Sequence, residues 1–342
     1  MTEGTGAAQP AHVPDGASRD CAVCFLTDAR GWPLARYAIA SFILSQSNDY
    51  DIVLSCDGWP GPDAADPLLA LARARGIRLE TAVLAAPAPE NDPSAVNMRV
   101  FGHITATVFR KLDAVLPLLP RYARVVYADI DILFLHDARL HAVDLGGNPI
   151  GAVIDYSICG DDVAGSFAAR SRANGISDRY FNSGLMVFDS ARCDAARIAA
   201  RYDEIQTTHQ LSCPYLPDCE TGDQCIFNQV FTQAWMELPL DLNVQTAAWR
   251  HPAWYTARIR HYTGGRKFLP VQYWHSDRTE RRLLKRIARL LDDPAVRYPP
   301  WAAPAAQLTF LRQARMRKVH KPKLDRLAAF VAGSPAAPHR AG

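Results

Sequence analysis

The sequence has no long hydrophobic run and little net charge. None of its apolar stretches approaches 18 consecutive residues, so we expect no membrane-spanning helix. The first six residues carry neither a basic start nor an apolar stretch, which argues against a secretory signal and favours a cytoplasmic protein. The formal net charge of +3 is too small to indicate a nucleic-acid-binding protein, and we expect no nucleic-acid partner.

The cysteines do not show the spacing of a structural zinc site. Without a secretory signal, the eight cysteines are expected to be reduced thiols rather than a disulfide framework. Cys21 and Cys24 form a C-x-x-C motif in a strand-like run, which places them on opposite faces and suits neither zinc nor a redox pair. Cys213, Cys219 and Cys225 lie close in sequence, yet no second Cys/His cluster has zinc-ligand spacing. The sequence therefore does not favour a zinc site.

The chain does have enough apolar residues for a sizeable core. Of its 342 residues 49% are hydrophobic and 21% are charged, which is typical of a globular protein. Strand-like runs alternate with helical stretches, with strands at 21–26, 51–56 and 77–84 and helices at 34–46 and 64–75. This alternation predicts an α/β fold with a mostly parallel sheet flanked by helices on both faces. In such sheets ligands bind beyond the carboxyl ends of the strands.

Residues 125–135 contain two aspartates, Asp129 and Asp131, inside an apolar run. An isolated buried carboxylate is costly, and two neighbouring carboxylates repel each other. In an extended segment both side chains point to the same face, where they form a hard-oxygen chelate for Mg²⁺ or Mn²⁺. The alternative is a turn or a helix cap that happens to contain two aspartates. The apolar residues on both sides favour the metal site.

A second motif begins at His261, which ends a strand-like run and precedes Gly264, Gly265 and Lys267. Glycines allow close backbone approach to an anion, and lysine supplies a positive point charge. Histidine completes a metal shell. Together with the two aspartates, this motif indicates a site for a metal-bound diphosphate.

With these motifs, the chain resembles glycosyltransferase family 8 across about residues 21–270, and bacterial lipopolysaccharide galactosyl- and glucosyltransferases in particular. Several blocks occur in the family's order. They are Phe-Leu-Thr-Asp at 25–28, His-Ile-Thr-Ala-Thr-Val-Phe-Arg-Lys-Leu at 103–112, Val-Tyr-Ala-Asp-Ile-Asp at 126–131, Ile-Asp at 154–155, Tyr-Phe-Asn-Ser-Gly at 180–184, Asp223-Gln224 with Asn228, Leu238-Pro239 with Asn243, and the block at His261. The resemblance implies a single nucleotide-sugar-binding domain of the GT-A type. It also implies a hexosyltransferase that moves a sugar from a UDP-sugar donor to a glycan or glycolipid acceptor, such as lipopolysaccharide.

The resemblance further implies roles for individual residues. The metal, Mn²⁺ or Mg²⁺, would be held by Asp129, Asp131 and His261. The nucleotide-sugar would contact Thr27, Asp28, Arg110, Lys111, Asp129, Ile130, Asp131, Asn182, Ser183, Asp223, Gln224, Gly264 and Lys267. The expected catalytic residues are Gln224, Asp223 and Lys111, and the residues bordering the acceptor are His103 and Asp155. The family's aromatic ring near the uracil has no direct match, and Trp32 is the candidate substitute.

The resemblance implies transfer with retention of the anomeric configuration. We expect front-side displacement with Gln224 near the anomeric carbon, and a covalent route through Asp223 is the alternative. A nucleotidyltransferase that makes a nucleotide-sugar is a rival function, although residues 27–31 are a poor glycine-rich phosphate loop. A catalytically silent sugar-binding module with the same fold is a second rival.

The end of the chain is basic. Residues 281–291 predict a basic amphipathic helix, and residues 315–326 form a second basic stretch. Such helices bind anionic membrane surfaces, which predicts peripheral contact with the inner membrane face through residues 280–326. The alternative is a solvated helix that packs its leucine face on the domain. The chain is expected to comprise a disordered lead-in at residues 1–19, a GT-A domain at 20–275 and a basic helical tail at 276–342 that is partly disordered at its end.

Overall fold

The structure is a computed structural model that describes residues 19–47, 49–85, 106–156, 170–171, 173–174, 179–209, 213–214, 222–249, 251–264, 267–269 and 277–293. Residues 1–18 of the predicted lead-in, His103 and the basic stretch at 315–326 lie outside the described residues. The helices are α1 (Trp32–Ser45), α2 (Pro67–Ala74), α3 (Lys111–Val115), α4 (Ala195–His209), α5 (Gly222–Val230), α6 (Pro252–Thr256) and α7 (Arg278–Leu290). The strands are β1 (Cys21–Thr27), β2 (Asp51–Asp57), β3 (Leu79–Leu84), β4 (Arg124–Ala128), β5 (Ile132–Phe134), β6 (Ile150–Ile154), β7 (Phe181–Asp189), β8 (Trp235–Glu237), β9 (Val244–Gln245) and β10 (Ile259–His261).

The central sheet contains seven strands in the order β3-β2-β1-β4-β7-β6-β8. Strands β3, β2, β1 and β4 are parallel to one another, and β8 is parallel to β6. Strand β7 is antiparallel to both of its neighbours, β4 and β6. The predicted α/β fold with a mostly parallel sheet is therefore confirmed, with β7 making the sheet mixed. A second sheet has the order β5-β10-β9.

Both faces of the central sheet are covered by helices, as the continuous apolar runs of its strands require. Side chains alternate along β1, so that Cys21 and Phe25 belong to the core that contains α1, α2 and α7, and Cys24 belongs to the core that contains α3, α4 and α5. On the first face the Phe25 ring packs edge-on against Phe42 and Phe134, with ring centroids 6.2 and 6.3 Å apart. The predicted placement of Cys21 and Cys24 on opposite faces is confirmed.

Local capping explains where α2 begins. The sequence pattern predicts a helix over 64–75, but the helix starts at Pro67 because the Asp66 side chain accepts a hydrogen bond from the Leu68 backbone N–H at 2.9 Å. Aspartate at the N-cap followed by proline is a strong helix start. The predicted strands and the remaining predicted helices agree with the structure to within a few residues wherever they fall in the described part.

Helix α7 packs against α1 and α2, with Leu284 and Ile287 fully buried. Its start is capped by Asp277, whose Oδ1 accepts the Glu280 backbone N–H at 3.0 Å. The fully buried Arg260 holds this end of the helix through Glu280, 3.1 Å away, and through Asp277. The leucine face of the basic helix is thus part of the core, and its basic residues form the outer face. None of the helices in the described part is both long and apolar enough to cross a membrane.

Glu280 predicts a pH-dependent stability. Burial raises the pKa of Glu280 to about 7 despite its contact with Arg260, whereas an unfolded glutamate titrates near pH 4.3 or so. The folded state then binds the proton more tightly, so the free energy of unfolding should fall by up to about 4 kcal/mol as the pH rises through this interval. Urea denaturation between about pH 5 and pH 8 measures the slope. Glu280→Gln should flatten it, and an unchanged slope in that variant would contradict the assignment.

One expectation about the acidic segment is wrong in its local geometry. Strand β4 ends at Ala128 and β5 begins at Ile132, so Asp129 and Asp131 lie in the turn between the two sheets rather than in an extended strand. The turn places both carboxylates at the carboxyl edge of the central sheet, where Asp131 remains largely buried. Their convergence is decided by this turn and by the second sheet, not by the period-two alternation of a strand.

Candidate active site

Asp129, Asp131 and His261 meet at the carboxyl edge of the central sheet. The turn after β4 supplies the aspartates, and β10 supplies His261 because it pairs with β5, which opposes His261 to Ile132. His261 Nε2 lies 3.0 Å from Asp131 Oδ1 and 3.8 Å from Asp129 Oδ2. One ligand atom from each side chain lies within 4.8 Å of the other two. The structure therefore brings together the three residues predicted as metal ligands.

The donor atoms of this cluster fit a divalent cation. Asp131 Oδ1 is buried, and among the described residues no group donates a hydrogen bond to it. A buried carboxylate oxygen without a hydrogen-bond donor destabilises the folded state unless a cation binds it. Carboxylate oxygens with one imidazole nitrogen are ligands of Mn²⁺ and Mg²⁺. The cluster is therefore a candidate metal centre.

Asn243 orients the imidazole of His261. Asn243 Nδ2 donates to Asn182 Oδ1 at 3.0 Å, which leaves Asn243 Oδ1 as the acceptor 3.1 Å from His261 Nδ1. In this arrangement a metal-bound His261 would carry its proton on Nδ1 and direct the lone pair of Nε2 to the ion. Metal-binding histidines are usually held in this way by an outer hydrogen-bond partner.

Removing this partner should weaken metal binding. We expect Asn243→Leu, which fills similar volume without an acceptor, to lower Mn²⁺ affinity by about 10- to 100-fold. The matched variant Asn243→Asp keeps an acceptor for His261 Nδ1 and should retain most of the affinity. Mn²⁺ titration followed by electron paramagnetic resonance measures both. Equal affinities in the two variants would contradict the positioning role of Asn243.

Gly184 makes room for the cluster. A Cβ at this position would lie 2.1 Å from His261 Cε1 and 2.7 Å from Asp129 Oδ2. The Gly184 carbonyl also accepts the Asp129 backbone N–H at 2.8 Å. Because β7 is antiparallel to β4, its amino-terminal end lies at the same edge of the sheet as the carboxyl end of β4. The glycine of the Asn-Ser-Gly block is thus required by packing against the metal ligands.

Lys111 provides a buried positive charge beside the cluster. Its side chain is only 3% exposed, and Nζ lies 3.2 Å from Asp129 Oδ1 and 2.8 Å from Asp223 Oδ2. Burial by itself would lower the pKa of Lys111. The carboxylates of Asp129 and Asp223 have the larger effect and raise this pKa above its ordinary value. Lys111 is therefore a charged ammonium group that links the cluster to α5.

Lys267 lies on the other side of the cluster. Its ammonium group donates to Asp131 Oδ2 and, at 3.0 Å, to the Tyr262 carbonyl oxygen. Burial alone would raise the pKa of Asp131, but Lys267 and His261 hold it below its usual range. Asp131 is therefore an ionised carboxylate, as a metal ligand must be.

A network of amides and carboxylates continues from the cluster into the site. Gln224 Nε2 donates to Asp155 Oδ2 at 3.0 Å, and Gln224 Oε1 accepts from Asn182 Nδ2 at 3.0 Å and from the Ser183 backbone N–H at 3.2 Å. Ser183 Oγ donates to Asp223 Oδ2 at 3.1 Å. Both ends of the Gln224 amide are thus fixed. The structure brings Asp155, predicted at the acceptor, next to the residues predicted at the donor sugar.

Thr27 and Asp28 follow β1 at the same edge. Asp28 Oδ1 accepts the Gly31 backbone N–H at 2.7 Å, which closes the turn into α1. A Cβ on Gly31 would lie 2.4 Å from Thr27 Oγ1 and 2.7 Å from Ile130 Cδ1. Thr27 and Asp28 therefore adjoin the turn that carries the aspartates.

Two tryptophans lie next to this turn. The rings of Trp32 and Trp59 are tilted against each other with centroids 5.4 Å apart. Trp59 Nε1 donates to the Thr27 carbonyl oxygen at 3.0 Å. Trp32, the candidate aromatic residue, therefore lies beside the end of β1, and Trp59 is an additional aromatic residue there.

For two predicted residues, Arg110 and Gly264, the described part of the chain gives no contact with the acidic cluster. The Arg110 guanidinium group is held by Asp57 at 2.5 Å and Asp113 at 2.9 Å, so that Lys111, not Arg110, contacts Asp129. Gly264 lies in an exposed turn with φ of 79°, a left-handed conformation that favours glycine. His103 is outside the described residues.

Sequence reasoning assigned no role to Tyr127, Gly184 or Asn243. Tyr127 OH donates to Asp129 Oδ1 at 2.7 Å. All three residues belong to sequence blocks that resemble family 8. Tyr127 belongs to the block at 126–131, Gly184 to the block at 180–184 and Asn243 to the block that begins at Leu238. Their support of the ligands required the tertiary contacts.

The fold and the site define a glycosyltransferase with the GT-A fold. Residues 102–276, just over half of the chain, match the family described as Glycosyl transferase family 8. The chain belongs to this family. No curated protein matches the chain.

Several solved structures are similar to the chain in fold. The galactosyltransferase LgtC, solved in complex with donor and acceptor sugar analogues, is 20% identical with a TM-score of 0.55, over 82% of this chain and 99% of LgtC. The bifunctional glycosyltransferase WbbM is 19% identical with a TM-score of 0.59, over 88% of this chain and 53% of WbbM. The glycosyltransferase GlyE of Streptococcus pneumoniae is 17% identical with a TM-score of 0.54, over 84% of this chain and 64% of GlyE.

Proposed function

We propose that this glycosyltransferase moves a hexose from a UDP-sugar to a glycan or glycolipid acceptor, with a divalent cation and with retention of the anomeric configuration. The observation that carries the proposal is the cluster of Asp129, Asp131 and His261, flanked by the ammonium groups of Lys111 and Lys267. Two acids, one imidazole and two lysines suit a metal-bound diphosphate. The complex of LgtC with donor and acceptor sugar analogues supports a sugar donor and a sugar acceptor.

Asp129, Asp131 and His261 would hold Mn²⁺ or Mg²⁺. A bound cation neutralises the negative charge that develops on the diphosphate leaving group. Lys267 and the exposed turn at Gly264 are the proposed contacts of the diphosphate oxygens, since a lysine and a glycine backbone both suit phosphate. Thr27 and Asp28, with the Trp32–Trp59 pair beside them, are the proposed contacts of the uridine.

The proposed reaction is front-side displacement. The acceptor hydroxyl oxygen bonds to the anomeric carbon on the face from which the phosphate oxygen leaves, its proton passes to that phosphate, and UDP departs. Gln224, fixed by Asp155 and Asn182, would face the anomeric centre. Asp223 is less suited as a nucleophile because its carboxylate accepts hydrogen bonds from both Lys111 and Ser183.

The acceptor is proposed to be lipopolysaccharide or another surface glycan, bordered by His103 and Asp155. A cytoplasmic enzyme acting on such an acceptor would work at the inner membrane face. The basic outer face of α7, with its apolar face buried, supports electrostatic attraction to anionic lipid rather than insertion.

Neutralising that face should reduce membrane binding. The triple variant Arg282→Gln, Arg286→Gln and Arg289→Gln alters three exposed residues of α7. Each basic residue near an anionic surface contributes about 1 kcal/mol, so the three together predict a fall of about 100-fold in affinity for anionic vesicles. Vesicle flotation at low and high salt measures it, with neutral vesicles as the control. Unchanged flotation would refute the contact through α7.

A panel of UDP-sugars tests the function as a whole. Hydrolysis or transfer of one UDP-sugar that requires Mn²⁺ is the expected result, and it identifies the donor at the same time. Release of pyrophosphate from UTP and a sugar 1-phosphate would instead indicate a nucleotidyltransferase. Calorimetry with UDP tests the remaining alternative: metal-independent or absent binding, together with inactivity on the panel, would favour a silent sugar-binding module.

A further inference from the structure

We propose a second metal site, which holds Zn²⁺ between His209, Cys213 and Cys225. One ligand atom from each of these side chains lies within 4.8 Å of the other two. None of the three residues belongs to the candidate active site. The site lies where the end of α4, which is His209, approaches Cys225 in α5.

The sulfur spacing matches a metal-bound pair. Cys213 Sγ and Cys225 Sγ are 3.6 Å apart. Two thiolates bound to one tetrahedral zinc ion at about 2.3 Å are separated by about 3.8 Å. A disulfide would bring the two sulfurs to about 2.05 Å. The observed separation excludes a disulfide and lets both sulfurs bind one ion, with the thiol–thiol hydrogen bond at this distance giving way to the metal.

The donor atoms select a different metal from that of the acidic cluster. Two thiolates and one imidazole are soft ligands, which favour Zn²⁺. The acidic cluster offers carboxylate oxygens, which favour Mn²⁺ or Mg²⁺. Cys225 is fully buried and Cys213 is 7% exposed, so the two sulfur ligands are shielded from solvent, whereas His209 is half-buried. The three ligands offered by the described residues leave one tetrahedral position for a further ligand.

Neighbouring groups support the ligands. The Tyr180 hydroxyl lies 2.9 Å from Cys225 Sγ, where it would donate a hydrogen bond to the thiolate of a metal-bound Cys225. Arg170 Nη2 donates to the Cys213 carbonyl oxygen at 2.7 Å, which fixes the backbone at that ligand. Such outer partners orient the ligands of metal sites.

The position of the site indicates a structural role. Cys225 directly follows Asp223 and Gln224 in α5, and α5 packs against α4. An ion bound by His209, Cys213 and Cys225 would tie the end of α4 to the helix that carries these two active-site residues. The sequence pattern did not indicate the site because the cysteine spacing alone lacks a zinc pattern, and His209 joins the cysteines only through the packing of α4 on α5.

Metal analysis of the full-length protein tests the proposal. After purification under reducing conditions and removal of loosely bound metal, mass spectrometry should find about one zinc ion per chain. Cys213→Ser and Cys225→Ser should each lower zinc affinity by more than the roughly 10- to 100-fold effect of losing an outer-shell partner. Cys193→Ser, which alters a thiol outside the cluster, and Asp131→Asn, which alters the acidic cluster, should keep the zinc.

Cobalt substitution tests the wild-type protein even if the cysteine variants fail to fold. Co²⁺ bound by thiolates in a tetrahedral site gives a sulfur-to-metal charge-transfer band and intense visible d–d bands, and these are the expected spectra. Zinc far below one ion per chain, a cobalt spectrum without the charge-transfer band, or a Cys213–Cys225 disulfide in the reduced preparation would each overturn the proposal. None of these readouts depends on sugar transfer, so a failure here is distinct from a failure of the proposed function.

Discussion

Replacing Asp131 with asparagine is expected to lower Mn²⁺-dependent turnover of the UDP-sugar donor by about 1000-fold or more, the equivalent of about 4 kcal/mol of lost transition-state stabilisation. Asparagine keeps the shape of the side chain but removes the negative charge that the cation requires. It also leaves the ammonium group of Lys267 without its carboxylate partner in the cation site. Repulsion between Lys267 and the cation then adds to the loss of the ligand.

The fold should tolerate this change. Lys267 is 30% exposed, so water solvates its ammonium group when the carboxylate is gone. Asp137→Asn, which alters an exposed aspartate in the loop after β5, is the matched control and should leave activity unchanged. Donor hydrolysis and Mn²⁺ titration in the presence of UDP measure the effect. Full metal-dependent activity in Asp131→Asn would exclude the proposed metal centre.

Gly184→Ala is expected to lower Mn²⁺ affinity and turnover by about 100-fold or more, at least as much as losing an outer-shell partner. The added methyl group would lie 2.1 Å from His261 Cε1 and 2.7 Å from Asp129 Oδ2, which is closer than real carbon contacts allow. The imidazole cannot simply turn away, because Asn243 holds its Nδ1 and the ring is buried. The variant must therefore displace two metal ligands at once.

Gly151→Ala is the matched control for this variant. A Cβ at Gly151 would lie 2.5 Å from Leu145 Cδ2 and 2.9 Å from Leu238 Cδ2, so it also overpacks a buried strand, but away from the metal ligands. Overpacking of this kind costs about 1–3 kcal/mol of folding stability. Gly151→Ala should thus lower stability with Mn²⁺ affinity unchanged. Equal losses of affinity in the two variants would show that Gly184 acts through stability alone.

Local sequence patterns were sufficient to predict the first strands of the central sheet. Continuous apolar runs such as those of β1 and β2 are typical of strands that are buried on both faces. Because side chains alternate along a strand, Cys21 and Cys24 then point to opposite faces. The helix start at Pro67 was misplaced by three residues because a pattern of apolar spacing does not weigh the cap at Asp66. The amphipathic pattern over 281–291 predicted the helix but left its apolar face open to membrane or core, and the tertiary contacts place that face in the core.

The sequence by itself determined that Asp129 and Asp131 interrupt an apolar segment, that a histidine and lysine follow more than a hundred residues later, and that these blocks resemble those of family 8. Those are properties of residue type and order. Only the tertiary structure decided that the aspartates lie in a turn, that Gly184 and Asn243 set the position of His261, and that His209 meets two cysteines. Ligand geometry depends on strand pairing and helix packing between distant segments, and no local pattern contains those distances.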